Sequence, residues 1–220
     1  FASYVISESG QSASEVAICV GYDGRLSSPD LEQSLVDGMC ATGVRVIRVG
    51  LGPTPMLYFS VYHLGVTAGI MVTGSHNPPT HNGFKMLLKK KPIFGKDIVR
   101  IGKIAASGDF SQGKGHVEEG NIKSAYVRAL VDGFGTIGNK KPLKIAWDAG
   151  NGAAGEIIEL LCKELPGEHI TLYTDIDGTF PSHHPDPTVE ANLTDLRVAV
   201  EVNQCDLGVA FDGDGDRVGM

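Results

Sequence analysis

The chain has 220 residues, of which 42% are hydrophobic and 20% charged, with a formal net charge of −7. That is enough apolar material for one or two globular domains, and the acidic balance argues against a generic nucleic-acid binder, so an anionic ligand would need local cations or a metal. No apolar stretch approaches the length of a membrane span and no signal peptide is visible, while Cys19, Cys40, Cys162 and Cys205 are too dispersed for a metal site and read as reduced thiols of a cytoplasmic protein.

Residues 1–6 have a helical pattern and 8–15 form a polar loop. Val16-Ala17-Ile18-Cys19-Val20 is an unbroken apolar run stopped by Gly21, the pattern of a buried strand. It leads into Gly21-Tyr22-Asp23-Gly24-Arg25. Ser28-Pro29 predicts a helix start, with a capping hydroxyl, proline at the first position, and Asp30 and Glu32 in the first turn. Leu31, Leu35 and Met39 share a face of that helix, with Val36 and Cys40 beside them, and Gly43 ends it. Residues 44–49 make the next strand, and Thr54-Pro55 repeats the cap-plus-proline start for a helix running to about Gly65. Ala68-Gly69-Ile70-Met71-Val72 is a third strand. Such alternation predicts an α/β layer with buried, largely parallel strands, whose ligands gather beyond the carboxyl ends of the strands.

Beyond the third strand stands Thr73-Gly74-Ser75-His76-Asn77-Pro78-Pro79, where two prolines forbid a helix or a central strand. A serine held in this way is either a turn former or a nucleophile. An imidazole lies next to it and Lys85 ten residues on. Asp23 and Arg25 follow the first strand and could face the same crevice.

Residues 83–88 read as another strand of the sheet, and Lys89-Lys90-Lys91-Pro92 as a solvated turn. Residues 96–106 and 121–133 have helical periodicity, with a polar connector at 108–120. The Gly- and Lys-rich stretch 133–142 carries the expected boundary, giving domains at 1–138 and 139–220. The second opens on a strand at 143–147, followed by Asp148-Ala149-Gly150-Asn151-Gly152 and a helix to about Lys163, a weak echo of the strand-Asp-Gly order in the first. A strand at 169–173, the irregular Pro181-Ser182-His183-His184-Pro185-Asp186-Pro187 and a helix capped by Asn192 come next. The strand at 206–211 then delivers Asp212-Gly213-Asp214-Gly215-Asp216-Arg217. The expected fold is therefore two successive α/β sandwich-like domains with mixed, largely parallel sheets.

Three carboxylates alternating with glycines repel one another unless a cation is present, and hard cations such as Mg²⁺ or Ca²⁺ take oxygen ligands. An EF-hand fits poorly, because its sixth position needs glycine where this chain has Arg217, and a strand leads in where a helix should. The plain alternative is a solvated acidic turn. Three ligands leave open positions that water or a phosphate oxygen commonly fills, so a phosphorylated Ser75 would be a natural further ligand.

The Thr73–Pro79 and Asp212–Arg217 segments together resemble the α-D-phosphohexomutase family, on its bacterial phosphomannomutase/phosphoglucomutase side. The glycine-rich segments after Gly21, Asn82 and Asp148, and His184-Pro185-Asp186-Pro187, look like family segments in the right order. The resemblance implies that Ser75 is carried as a phosphoserine, with Mg²⁺ held by Asp212, Asp214, Asp216 and that phosphoryl group. It implies interconversion of hexose 1-phosphate and hexose 6-phosphate, of mannose or glucose, through a hexose 1,6-bisphosphate. His76 and Lys85 become candidates for proton transfer and for stabilising the transferred group, and Arg25 and Arg217 for cations near the phosphoryl; a structural ion pair is the alternative for Lys85, Arg25 and Arg217. His183 and His184 read as loop packing. The family's full enzymes have four domains, so the chain is expected to be an N-terminal fragment of little activity that needs its own C-terminal domains. A phosphoglucosamine mutase and a Mg²⁺-dependent sugar-phosphate phosphatase are the alternative enzymes, and a Ca²⁺-binding phosphoprotein domain the non-enzymatic one. Gly74 before the serine favours the mannose/glucose branch.

Overall fold

The computed structural model of the protein describes residues 1–136 and 141–220. The expected boundary between residues 138 and 139 lies outside the described residues.

The first unit is built on β1 (Ala17–Tyr22), flanked by β2 (Arg45–Leu51) on one side and β3 (Ala68–Val72) on the other, both parallel to it. The helices α2 (Ser28–Cys40) and α3 (Thr54–His63) make the crossovers. β4 (Phe84–Leu88) adds antiparallel to β3, and β5 (Lys91–Pro92) antiparallel to β4. Lys89 and Lys90 turn between these two strands with positive φ. The sheet order is β5-β4-β3-β1-β2-β6, where β6 (His116–Glu119) is a fully exposed edge strand parallel to β2. The polar connector expected at 108–120 thus holds a strand with no apolar run to mark it.

Alternate residues of β1 divide between two cores, as a pleat requires. Ile18 and Val20 pack with Val5 of α1 (Ala2–Ser9) and with Val36 and Met39 of α2. Ala17 and Cys19 face the other way, onto Met56, Leu57 and Val61 of α3. α4 (Lys96–Ser107) lies on the outside and buries no residue. α5 (Lys123–Gly135) packs against α3 and also against α6 (Gly155–Cys162), so Val127 and Ile157 join the α3-side core.

The second unit repeats the strand pattern. β7 (Leu143–Asp148) lies between β8 (Gly167–Leu172) and β9 (Leu207–Phe211), both parallel to it, with β10 (Val218–Gly219) antiparallel to β9. α6 covers one face through Ile158 and Ala154, and α7 (Thr194–Asn203) the other through Leu196 and Ala199. In both units the first strand sits between the second and the third. This order puts a topological switch point beside the first strand, where ligand crevices form at carboxyl ends. The echo between the units is local as well: Asp23 Oδ1 accepts the Arg25 N–H and Asp148 Oδ1 accepts the Gly150 N–H, the same two-residue side-chain turn after the first strand.

Three expected helix caps do other work. Ser28 is the first helical residue of α2 and donates its hydroxyl to Asp23 Oδ1 at 2.6 Å. Thr54 opens α3 and sends its hydroxyl to Asp214. Asn192 sits in a short 3₁₀ turn before α7 and donates to the Asp186 carbonyl. Cap signals are local patterns, and each of these side chains has an acceptor outside its own helix instead: Ser28 and Asn192 reach back five and six residues, and Thr54 reaches forward across 160.

Candidate active site

The site forms where the carboxyl ends of β1, β2 and β3 meet the loop after β9. Ser75 follows β3 with φ 52 and is 8% exposed. Its N–H is held by Thr73 Oγ1 at 2.9 Å. Arg25 fixes the loop from beneath. Its Nε donates to Asp23 Oδ2 at 3.1 Å, Nη1 to the Pro78 and His81 carbonyls at 2.5 and 3.0 Å, and Nη2 to those of Ser75 and Asn77, both at 2.7 Å. A guanidinium has five N–H groups and all five are used. The Phe180 ring, from the second unit, covers it at 5.3 Å. Gly74 is what lets this cation approach: a Cβ there would stand 2.5 Å from Arg25 Cζ and 2.6 Å from the His81 carbonyl oxygen.

The aspartate loop is pressed onto this one. A Cβ at Gly213 would fall 2.5 Å from the Ser75 carbonyl oxygen. The Ser75 hydroxyl donates to Asp212 Oδ2 at 2.9 Å, while Asp212 Oδ1 accepts the N–H groups of Asp216 and Arg217. Burial, and then the neighbouring Asp214 charge, push the Asp212 carboxyl up to about 6. Asp214 is fully buried, and its Oδ2 takes the Thr54 hydroxyl and the Lys85 ammonium, the latter at 2.7 Å. Desolvation works against the Asp214 carboxylate, but the Lys85 charge and these hydrogen bonds outweigh it and hold it below its usual range. Lys85 also reaches Asp216 Oδ2 at 2.5 Å. Burial opposes its charge as well, yet the two aspartates raise its pKa overall. Lys85 can reach them because β4 runs antiparallel to β3 and places it opposite Met71, close to the carboxyl end of β3.

One carboxylate oxygen from each of Asp212, Asp214 and Asp216 lies within 4.8 Å of the others. Asp214 Oδ1 is buried and has no hydrogen-bond partner among the described residues. A buried carboxylate oxygen left unpaired is costly, and a cation on that atom would satisfy it. The all-oxygen donor set fits a hard divalent cation.

Family models match along nearly the whole chain: phosphoglucomutase/phosphomannomutase alpha/beta/alpha domain I over residues 1–112, and domain II of the same family over 124–220. The chain belongs to the phosphoglucomutase/phosphomannomutase family. It is 42% identical over 206 residues to a phosphomannomutase/phosphoglucomutase of Pseudomonas aeruginosa, covering 94% of this chain and 44% of the relative. It is 43% identical over 205 residues to a phosphoglucomutase of Neisseria meningitidis, covering 92% and 44%. A crystal structure of a family protein from Burkholderia thailandensis superposes with a TM-score of 0.90 at 42% identity, covering 99% of this chain and 48% of that one. The chain therefore spans about half the length of these relatives.

Within this phosphohexomutase-family framework the structure brings Ser75, His76, Lys85, Arg217 and the three aspartates together. His76 Nδ1 accepts from Arg217 Nη1, and Arg217 Nε stands 4.0 Å from Asp212 Oδ2. Arg25 stands apart from them in role. Expected as a cation for the phosphoryl, it lies fully buried under the loop with every N–H spent on protein acceptors. His183 packs in its loop as expected, and there it pairs with Asp148: Nε2 faces Asp148 Oδ2 at 3.0 Å and Nδ1 the His184 carbonyl at 3.0 Å. Acceptors at both ring nitrogens favour the imidazolium, and the Asp148 hydrogen bond raises the His183 pKa. Thr54 and Thr73 were absent from the sequence-based candidates. Their signal is positional, since each directly follows a predicted strand or its turn at the carboxyl edge of the sheet.

Proposed function

We propose that the intact protein is a phosphohexomutase that interconverts hexose 1-phosphate and hexose 6-phosphate, of mannose or glucose, by way of a phosphorylated Ser75 and a hexose 1,6-bisphosphate. The observation that carries this reading is the Ser75 hydroxyl donating to Asp212 Oδ2 at 2.9 Å, beside the unpaired Asp214 Oδ1. A side chain that only shaped a turn would have no need of this carboxylate cluster.

Mg²⁺ would be held by Asp212, Asp214, Asp216 and an oxygen of the Ser75 phosphoryl. When bound it supplies Lewis-acid charge neutralisation to the phosphoryl being transferred. The chain's own residues position and balance charge, which is most of what phosphoryl transfer requires. Arg25 holds the Ser75 loop in a single shape through its four carbonyl contacts. Lys85 stands as a cation between Asp214 and Asp216, at the edge where the phosphoryl oxygens would lie. As Ser75 Oγ gives up its phosphoryl, the P–O bond to serine breaks and one to the sugar oxygen forms. The sugar hydroxyl proton needs an acceptor, and we assign that transfer to His76, half-buried next to Ser75: its Nδ1 lone pair takes the proton once Arg217 Nη1, which holds it in the resting site, turns away to the phosphoryl. Arg217 faces the same opening as a second cation.

The chain covers 44% of its curated relatives, and we place selection of the sugar in the part of the protein outside it. The 220-residue chain alone should turn over little or no glucose 1-phosphate; substantial turnover would contradict this placement. The unpaired cysteines accord with work in the cytoplasm. Among the described residues no helix is long and apolar enough to cross a membrane. The test of the reaction is product analysis on the intact protein with glucose 1-phosphate and mannose 1-phosphate. Isomerised sugar phosphate supports the mutase, free inorganic phosphate at the same rate would make the enzyme a phosphatase, and turnover of glucosamine phosphate alone would move it to the sister activity.

A further inference from the structure

The hydrogen bonding around Asp214 is one-sided. Its Oδ2 accepts from both Thr54 Oγ1 and Lys85 Nζ, while its Oδ1, equally buried, meets no donor at hydrogen-bond geometry among the described residues, although the Thr73 hydroxyl lies near enough to Asp214 to help lower its pKa. Its backbone is tied down at the same place, because the Thr54 N–H donates to the Asp214 carbonyl oxygen at 2.8 Å. A single residue of the first unit thus grips one aspartate of the second by its main chain and its side chain, across 160 positions of sequence. Thr54 and Asp214 are both 0% exposed, so neither contact competes with water.

The local structure explains why threonine stands there. Pro53 precedes it in extended conformation and Pro55 follows, so the chain turns sharply from β2 into α3 and aims the first free N–H of the helix outward. Pro53 also packs beneath the aspartate loop: a Cβ built on Gly215 would stand 3.1 Å from Pro53 Cβ. Lys85 cannot by itself decide which oxygen of Asp214 remains open. It is an ammonium on a flexible stem, shared with Asp216. The Thr54 hydroxyl is short, has restricted χ1 freedom and is fixed to the helix start.

The geometry points to Thr54 as the positioning residue of the aspartate cluster: by holding Asp214 Oδ2 and the Asp214 main chain, it leaves Oδ1 as the metal-binding atom. This rests on the reading of Asp212, Asp214 and Asp216 as a metal site. In this role Thr54 acts through Asp214 and is not itself a ligand, since its hydroxyl is spent on Asp214 Oδ2. It plays the part that outer-shell hydrogen-bond partners play for coordinating carboxylates, whose loss typically weakens metal affinity about 10–100-fold.

The test is Mn²⁺ binding to the intact protein, followed by electron paramagnetic resonance of the free ion and by competition with Mg²⁺. Wild type is compared with Thr54→Val, Thr54→Ala and Thr54→Ser, and with Asp214→Asn as a control for the site. Val and Ala both remove the hydroxyl, one at nearly constant volume and one with less steric demand, so whichever folds decides the question. Either should weaken Mn²⁺ binding by about 10–100-fold, while Ser restores it to within about 3-fold of wild type. The melting temperature of the metal-free protein, read in parallel, separates this from a merely structural contact, which would lower that temperature and leave the affinity unchanged. Wild-type affinity in Thr54→Val or Thr54→Ala overturns the assignment. If wild type itself binds no Mn²⁺, or if Asp214→Asn binds it undiminished, the metal reading has failed, and the assignment falls with it for a different and visible reason.

Discussion

Replacing Arg25 with methionine separates a residue that holds the loop from one that touches the phosphoryl. The Arg25 side chain is 0% exposed and its partner Asp23 1%. Removing one member of a buried ion pair typically costs about 3–5 kcal/mol, because the other charge is left uncompensated. Here Asp23 keeps three donors, the Ser28 hydroxyl at 2.6 Å and the Gly74 and residue-25 N–H groups at 3.1 Å, which argues for the lower end, about 3 kcal/mol. The four orphaned carbonyls add to this unequally. Those of Asn77, Pro78 and His81 belong to exposed residues and can turn to water, whereas that of Ser75 is trapped against Gly213 and adds about 1 kcal/mol or more. A loss of roughly 4 kcal/mol from the first unit is expected. Hydrogen exchange of the Ser75, Asn77 and His81 amides in the intact protein, alongside denaturant unfolding, measures it where it arises, since those three N–H groups close the loop's own hydrogen bonds. Arg25→Lys, with three N–H groups for five acceptor positions, should fall in between. Unchanged protection at the three amides and a stability loss under about 1 kcal/mol would refute the reasoning, and would return Arg25 to the phosphoryl.

Gly74→Ala forces a Cβ against a backbone carbonyl as well as the guanidinium and should cost about 1–3 kcal/mol by denaturant unfolding; a neutral outcome would mean that the loop relaxes freely. Lys85→Met leaves Asp214 and Asp216 without their ammonium, so the metal-free protein should lose stability and recover much of it on adding Mg²⁺, as read by melting temperature with and without the ion; no recovery would separate Lys85 from the metal site. The His183–Asp148 pair sets a pH dependence. Its raised folded-state pKa means that its contribution is fully present below the unfolded value of about 6.5 and is lost as pH rises through the folded value. Wild-type stability should therefore decline from about pH 6.5 upward by a component that His183→Gln lacks, and identical pH profiles for the two proteins would contradict the pairing.

The sheets were legible because the chain marks them with short, largely apolar runs: Val16–Val20 stopped by Gly21, Ala68–Val72 leading into Thr73-Gly74, and Leu207–Phe211 leading into Asp212-Gly213. Both carboxyl-end loops were legible for the same reason: each directly follows such a run. β6 was not, because a lone exposed edge strand, His-Val-Glu-Glu, gains its place from pairing with β2 and carries no buried face to record in its sequence. Ser28, Thr54 and Asn192 carry the signature of helix caps, and nothing nearby in sequence shows that Asp23, Asp214 and the Asp186 carbonyl take their hydrogen bonds instead. Arg25 illustrates the broader limit. Its charge and its place after β1 were readable, but a sequence does not show which way a guanidinium points, and here it points into the protein.

The central claim is that Ser75 carries the phosphoryl beside the aspartate cluster. Intact-mass measurement with peptide mapping tests it most directly, on the intact protein incubated with Mg²⁺ and glucose 1,6-bisphosphate, and on its Ser75→Ala variant. The account predicts one added phosphoryl group, mapped to Ser75 and absent from the variant. No adduct under these conditions, or an adduct on another residue that persists in Ser75→Ala, would contradict it.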